Sequence, residues 1–485
     1  MIDHRIVFRI IGQLLFIEAI MMLACLVMSL IYGEDDSYAF AVSLLITISA
    51  GIILKYIGRE GGNNLSRREA YIVVAMTWIV FSFFGTLPYL VGGYIRSFTD
   101  AYFESMAGFS TTGATVLDDV EWLPHAMLFW RSMTQWIGGL GIVFFTIAIL
   151  PSMVGGSVKV FAAEATGPIK SKLHPRLSTG AKWLWSIYIA LTLGCVIAFY
   201  ACGMGWFDSI NYSMTTTATG GFAPHNDGLA HFQSRAVEYV AIAFQFLSGI
   251  NFMLLYMVVF KGKIRMLVEN TEFRLFGSVV LVATLCIMLL LMNYNGYGIE
   301  HALRSSMFHV VSFITTTGIV CDDIGRWPQI SWLILGCLMF TGACAGSTSG
   351  GFKCIRVAMI LSVIKNEFKH ILHPNAVLPI KMNGQTISND KLPALLAFFA
   401  VSVGMCVFIS ALMTIIGIDG INSIAISLSC VSNVGMPLNT DIGPQISWGM
   451  LPHWSKWALA LLMLMGRLEI MTVLLLFTKS FWKDH

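Results

Sequence analysis

Four short stretches of the chain carry the same oxygen-rich pattern. Ser110-Thr111-Thr112-Gly113, Thr217-Ala218-Thr219-Gly220, Thr315-Thr316-Thr317-Gly318 and Ser432-Asn433-Val434-Gly435 align without gaps, with a hydroxyl three places before the glycine and a β-branched residue one place before it in every copy. The glycines stand 107, 98 and 117 residues apart. Glycine reaches backbone angles barred to other residues, so a strand that ends in one can turn successive carbonyls toward a common axis. Four such strands predict a ring of carbonyls able to replace the hydration shell of a cation, with the hydroxyls of Ser110, Thr217, Thr315 and Ser432 as a further oxygen layer at its inner end. Taken singly, each glycine would merely end a buried helix and each hydroxyl cap a backbone group; four registered copies argue for the ring. Asp118, Asp119, Asp227, Asp322, Asp323 and Asp441 follow the glycines within seven positions and predict a negative vestibule.

Such strands need elements that hold them at one depth. The chain has 485 residues, 56% of them hydrophobic and only 12% charged, and a mean hydropathy of +0.74. A soluble chain is about a quarter charged, so this composition describes a polytopic membrane protein. Stretches long enough to cross about 30 Å of hydrocarbon fall near 10–32, 39–57, 71–92, 125–150, 183–203, 236–260, 275–292, 329–364, 394–417 and 457–478. Ten is even, so both termini share a side. Taking that side as cytoplasmic puts 23 of the 30 Lys and Arg residues there, as the positive-inside rule requires. Between the spans, segments near 101–112, 208–219, 302–317 and 421–434 are too short to cross and read as re-entrant elements. The expected fold is all-α: an N-terminal helix pair (1–68) followed by four linked helix, pore-loop, helix units at 69–160, 161–265, 266–375 and 376–485 around one pore. A net charge of +3 without a dense basic run excludes nucleic acid. Ten cysteines without a CxxC, and eleven histidines without ligand spacing, predict no catalytic metal and no enzyme.

The eighth span is interrupted between Gly342 and Gly351, where Gly342, Gly346, Ser347, Thr348, Ser349, Gly350 and Gly351 precede Lys353. No straight helix is expected through this stretch, and irregular backbone at membrane depth must pack on protein or face water, which points to an obstruction across the path beneath the third loop. The stretch has neither the central serine of a nucleophile elbow nor the Gly-Lys-Ser/Thr of a phosphate-binding loop. Arg467 falls near the middle of the last span, where an arginine costs about 2.5–3.5 kcal/mol to insert. Glu469, two residues on, faces away from it along a helix. Arg467 is expected either to oppose cations in the pore or to hold helices together in an ion pair. Arg131 and Glu104 suggest an ion pair that anchors the first loop.

These residues carry a resemblance. Thr111-Thr112-Gly113-Ala114-Thr115, Ala218-Thr219-Gly220-Gly221-Phe222, the run from Gly342 to Lys353, His373-Pro374-Asn375-Ala376-Val377 and Gly466-Arg467-Leu468-Glu469 resemble the bacterial Trk/Ktr/HKT potassium-transporter superfamily, and the extra helix pair is similar to its TrkH branch. The resemblance covers essentially the whole chain. It implies a homodimer in the bacterial inner membrane with one potassium pathway per subunit, bound to a cytoplasmic nucleotide-binding regulatory subunit of TrkA type. It implies a filter lined by Gly113, Gly220, Gly318 and Gly435, a retained glycine in all four loops being the potassium-selective pattern, and an intramembrane gating loop in the broken helix. Asn433-Val434 departs from the Thr-rich pattern. Potassium held by filter carbonyls is the only metal expected, and the only nucleotide is the partner's. The competing mechanism is an ion-coupled alternating-access symporter (K+/H+ or K+/Na+), whose mark is broken helices in two inverted halves; here one long helix reads as broken.

Overall fold

The computed structural model describes residues 2–62, 65–141, 177–375, 378–383, 385–387, 391–438 and 448–483. The later part of the fourth predicted span, the boundary at 160/161, Asp441 and Ala376-Val377 lie outside them. Among the described residues the fold is helical apart from a small hairpin pairing Lys381–Met382 with Gln385–Thr386.

Among the described residues six helices are long and apolar enough to cross a membrane unbroken: His4–Tyr32, Ser37–Ile57, Arg67–Val91, Lys182–Ala201, Thr271–Tyr294 and Leu392–Ile415. They match the first, second, third, fifth, seventh and ninth predicted spans. The other four differ. His125–Leu140 stops at Gly141 with φ 92°, Arg235–Ser248 and Phe252–Val259 are bent by 103°, Gln329–Thr341 and Cys354–Leu372 flank the glycine-rich loop, and His453–Leu468 gives way to Ile470–Leu475 at Glu469, φ 67°. The expectation of a single broken helix is therefore corrected: the second helices of the second, third and fourth units are broken, and that of the first ends at Gly141, where the described residues of this unit stop. Glycine marks the end at Gly141 and the breaks of the second and third units, whereas at the fourth the left-handed residue is Glu469, whose carboxylate pairs with Arg356 of another helix at 2.5 Å.

Inside the long helices sit four short ones, Phe98–Phe109, Trp206–Ala218, Ile299–Ile314 and Gly420–Ser432, of 12, 13, 16 and 13 residues. At about 1.5 Å per residue they reach roughly 18–24 Å, too little to cross. Polar residues such as Ser105, Asn211, Ser312 and Ser427 are tolerated on them because the surrounding helices bury them from lipid. The N-terminal pair packs closely through Gly12 and Gly51: a Cβ on Gly12 would lie 2.8 Å from the Gly51 carbonyl oxygen. Small residues allow such approach between apolar helices, where dispersion replaces the hydrophobic effect.

Buried charges join one unit to the next. Arg304 of the third re-entrant helix meets Glu238 of the second unit at 2.9 Å. Lys456 of the fourth unit reaches Asp100 on the first re-entrant helix at 2.6 Å, linking the last unit to the first. Breaking a buried pair costs about 3–5 kcal/mol, because the remaining charge is stranded. Asp100 is 22% exposed, which moves the expected cost toward the lower end. Lys456→Ala is thus expected to lower the melting temperature of the purified protein, and Asp100→Asn in the same chain to restore most of it; a Lys456→Ala protein as stable as the parent would show that the pair holds nothing.

Candidate functional site

Each re-entrant helix ends in the same two-step turn. Thr111, Thr219, Thr316 and Asn433 are left-handed, with φ of 54, 53, 59 and 56°, and two residues later Gly113, Gly221, Gly318 and Gly435 have φ of 80, 88, 73 and 75°. The amide between them returns to the carbonyl five residues back: Thr112 to Ala107 (2.9 Å), Gly220 to Thr215 (2.9 Å), Thr317 to Ser312 (2.8 Å) and Val434 to Ser429 (3.0 Å). This geometry corrects the register of the second loop by one residue. Its structural match is Ala218-Thr219-Gly220-Gly221, so Gly221, not Gly220, corresponds to Gly113, Gly318 and Gly435. Two adjacent glycines leave both registers open in the sequence, and the ungapped hydroxyl pattern selects the wrong one. Thr217 leaves the shared layer and its hydroxyl meets that of Thr192 at 3.0 Å.

The four turns form a closed ring in chain order. A Cβ on Gly113 would fall 2.2 Å from the Gly220 carbonyl oxygen, on Gly221 2.2 Å from that of Thr317, on Gly318 2.0 Å from that of Val434, and on Gly435 2.0 Å from that of Thr112. Each glycine thus abuts the equivalent carbonyl of the next unit, and both the left-handed angle and the missing side chain are required. Backbone oxygens gathered at the C-terminal ends of four helices, where the helix dipole is negative, can take the place of water around a cation. The hydroxyls have a local duty. Ser110 and Thr315 donate to the carbonyls four residues back, Met106 and Val311, each at 2.6 Å.

Side chains from the second helices and from the re-entrant segments themselves brace the ring. Gln135 donates to the Gly220 carbonyl at 2.7 Å and accepts from the Phe222 amide at 3.0 Å. Asn433 donates to the Thr112 hydroxyl at 3.0 Å and to the Met463 carbonyl at 2.9 Å, which gives its departure from threonine a structural use. Arg131 and Glu104 do pair, at 3.1 Å with both side chains buried. Glu104 also accepts from the Val116 amide at 2.8 Å, and Arg131 donates to the Ala223 carbonyl at 3.1 Å, so the pair holds the exits of the first two loops. The sequence analysis missed Gln135, although an amide inside an apolar span was the available signal. Beyond the ring, Asp118, Asp119, Asp227 and Asp323 are exposed. A hydrogen bond from the Asn226 side chain holds the Asp119 carboxyl below its ordinary value.

The glycine-rich loop lies against the opposite end of the ring. The Gly350 amide donates to the Thr316 hydroxyl at 2.6 Å, the Thr348 hydroxyl donates to the Thr217 carbonyl at 3.0 Å, and a Cβ on Gly350 would stand 2.5 Å from the Ser432 carbonyl oxygen. It therefore touches three of the four units. Its first turns dock on the break in the second unit, through the Cys344 amide to the Gly249 carbonyl (3.1 Å) and the Phe252 amide to the Gly346 carbonyl (3.0 Å). One oxygen of Glu272 accepts from both of its ends, the amides of Ala345 (2.6 Å) and Ile355 (3.1 Å). Ser347 donates to the Cys344 carbonyl at 2.6 Å and meets Ser349 at 3.0 Å. Gly342, Gly346 and Gly351 have positive φ, and Lys353 folds back to the Ser349 carbonyl. Arg467 sits in the last turn of its helix. It donates to the Thr348 carbonyl at 2.7 Å, to that of Gly138 at 2.7 Å and to that of Gly139, clamping the loop to the end of the first unit's second helix.

Four pore-loop units closed into a ring within one helical chain define a polytopic membrane protein of the pore-loop class. The chain belongs to the TrkH family, described as cation transport proteins, whose model matches residues 36–484. The Trk system potassium uptake protein TrkH of Halomonas elongata is 35% identical over 489 residues, covering 99% of both chains. TrkG of Escherichia coli K12, another Trk system potassium uptake protein, is 31% identical over 482 residues, 99% of each. Among solved structures, the crystal structure of the potassium transporter TrkH from Vibrio parahaemolyticus superposes with a TM-score of 0.90 at 32% identity, over 99% of this chain and all of that one.

Gln135 tests how the ring is braced. Gln135→Leu strands a buried carbonyl and a buried amide, each unmet group costing about 1–3 kcal/mol, so a lower melting temperature is expected. Gln135→Glu, which can still accept from Phe222, should lie between. Melting temperatures unchanged in both would remove Gln135 from the ring's support.

Proposed function

We propose that this chain is a potassium-uptake permease of the bacterial inner membrane. Potassium would pass in channel-like fashion through the carbonyl ring at Thr111 to Gly113, Thr219 to Gly221, Thr316 to Gly318 and Asn433 to Gly435, with Ser110, Thr315 and Ser432 at its inner end. The glycine-rich loop from Gly342 to Lys353, together with Arg467, gates it. Two chains would form a homodimer with both termini cytoplasmic, controlled by a cytoplasmic nucleotide-binding subunit of TrkA type, and the chain divides into the helix pair and four units at the boundaries given above. The observation that carries this reading is the closed contact of glycine on carbonyl around all four loops. The names of the relatives supply the ion, potassium.

The alternating-access symporter gains some support from the breaks in the second helices of the second, third and fourth units, since each frees an inner half to move. Yet the breaks recur in three successive units rather than at matching places in two halves, and the ring is continuous. Ion flux from liposomes under defined gradients separates the two: a symporter moves potassium against its gradient when sodium or protons run down theirs, and the permease does not.

Selectivity tests the ring. Gly113→Ser and Gly221→Ser each add a side chain where a carbonyl stands about 2 Å away, so potassium preference over sodium should fall in both, measured as relative permeability in liposomes. Unchanged preference in both variants would sink the filter assignment. Gly220→Ser meets the buried Gln135 side chain instead, 2.5 Å away, and should act by displacing that brace, lowering the melting temperature as Gln135→Leu does.

The gate is tested at Arg467. A positive charge beneath the ring opposes cations, so Arg467→Gln should raise potassium flux per folded molecule and Arg467→Lys should stay near the parent. If Lys conducts as fast as Gln, the forked clamp on Thr348 and Gly138 matters and the charge does not. Deleting residues within Gly346 to Gly350 should likewise raise flux without loss of selectivity; a folded deletion no faster than the parent would make the loop a packing break.

A further inference from the structure

The exits of the first two loops bring together three metal-binding side chains that the ring does not use. Glu121 stands on the first exit loop, His225 and His231 on the second, and one donor atom from each lies within 4.8 Å of the others. His225 Nδ1 is 3.5 Å from Glu121 Oε1, while its Nε2 faces Asp208 Oδ1 at 3.3 Å. The rings of His225 and His231 stack at 3.8 Å, within 4° of parallel. Glu121 and His231 are exposed and His225 is partly so, which leaves the cluster open to solution.

The surroundings hold the loops that carry this cluster in place. The buried Tyr212 hydroxyl donates to the Gly228 carbonyl at 2.8 Å, fixing the short turn Gly228–Phe232 that carries His231. Phe232 packs edge-on against both imidazoles, with centroids at 5.6 and 5.2 Å. Asn226 ties the two exits together: it accepts from the Val120 amide at 2.9 Å, donates through its side chain to Asp119 at 2.7 Å and through its amide to Glu121 at 3.2 Å.

We propose that Glu121, His225 and His231 form a binding site for a divalent transition metal of the zinc type at the mouth of the ring, opposite the glycine-rich loop. Two imidazoles and one carboxylate are a donor set that zinc accepts, with a fourth position open to water, whereas potassium, sodium and magnesium favour all-oxygen sites. Asp208 stands where a metal-bound histidine places its orienting carboxylate, on the ring nitrogen away from the metal. Bond lengths of 2.0–2.1 Å put tetrahedral donors about 3.4 Å apart, so the exposed His231 ring turns out of its stack on His225, and Glu121 with it, to aim both donors at an ion on His225 Nδ1. A bound metal links the exit loops of the first and second units.

Zinc chloride titrated into the purified protein in nanodiscs, followed by calorimetry and by melting temperature, tests the site. About one zinc per chain is expected, with a rise in melting temperature, and magnesium chloride should give neither. His225→Gln, His231→Gln and Glu121→Gln should each weaken zinc binding at least about tenfold, and Asp208→Asn should weaken it by about tenfold or more while keeping the stoichiometry. Metal-free melting temperatures establish that each variant is folded; Glu121, on the surface, supplies a folded variant if a histidine replacement does not. Absence of zinc binding by the parent, or unchanged affinity in a folded Glu121→Gln or double histidine variant, overturns the proposal.

Discussion

Backbone polar groups in the middle of a membrane must find partners within the protein, and the fold is arranged around meeting that demand at four helix ends. In hydrocarbon each unmet amide or carbonyl costs several kcal/mol, so irregular chain survives at depth only where protein encloses it. Here four helices stop midway, and each turns through a left-handed residue and a left-handed glycine. The amides of the turn go back to their own helix, leaving the carbonyls of Thr112, Gly220, Thr317 and Val434 against the glycine of the neighbouring unit. The short helices hold this ring at one depth and the long ones shield it. Gln135, Asn433 and the Arg131–Glu104 pair fix its edges.

The same demand shapes the region under the ring. The second helices of the second, third and fourth units lose their continuity there and that of the first ends at Gly141, and the freed backbone groups become partners for the others. The break in the second unit receives the glycine-rich loop of the third through Gly249 and Phe252, and Arg467 of the fourth unit receives carbonyls from the first and the third. Arg356 and Glu469 pair across the same region. Contacts among all four units therefore meet at one level, so displacement of the loop would have to be accompanied by adjustment in its neighbours. Interlocked packing of this kind favours discrete arrangements over gradual deformation.

The fourfold plan is kept in the backbone and relaxed in the side chains. The paired left-handed positions recur in every unit, but the residue one before the first of them is Ser110, Ala218, Thr315 or Ser432. The second unit has no hydroxyl at this position, and the fourth replaces a threonine by Asn433, whose amide reaches into the first unit. Covalent linkage of the units permits this, because each position faces a different neighbour and can be adjusted to it alone.

Much of the architecture is determined by the sequence itself. Apolar length separates spanning helices from re-entrant ones, since about 30 Å of hydrocarbon sets a minimum span that a 12-residue helix cannot meet. The repeated glycine motifs mark the ring, and the glycine run from Gly342 to Gly351 marks the broken eighth span. What the tertiary structure decided are matters of register and of partner. The choice of Gly221 over Gly220 depends on how the second turn meets the carbonyl of the third. The break at Glu469 and the pairing of Arg356 with it join residues 113 positions apart. Arg467 meets the carbonyls of Thr348, Gly138 and Gly139, groups that every residue carries and no sequence pattern distinguishes. Glu121 and His231 likewise come together only when two loops more than a hundred residues apart in the chain are brought to the same face. Length and periodicity are local properties that the order of residues fixes directly, whereas the partner of a buried polar group is chosen by whatever the fold places beside it.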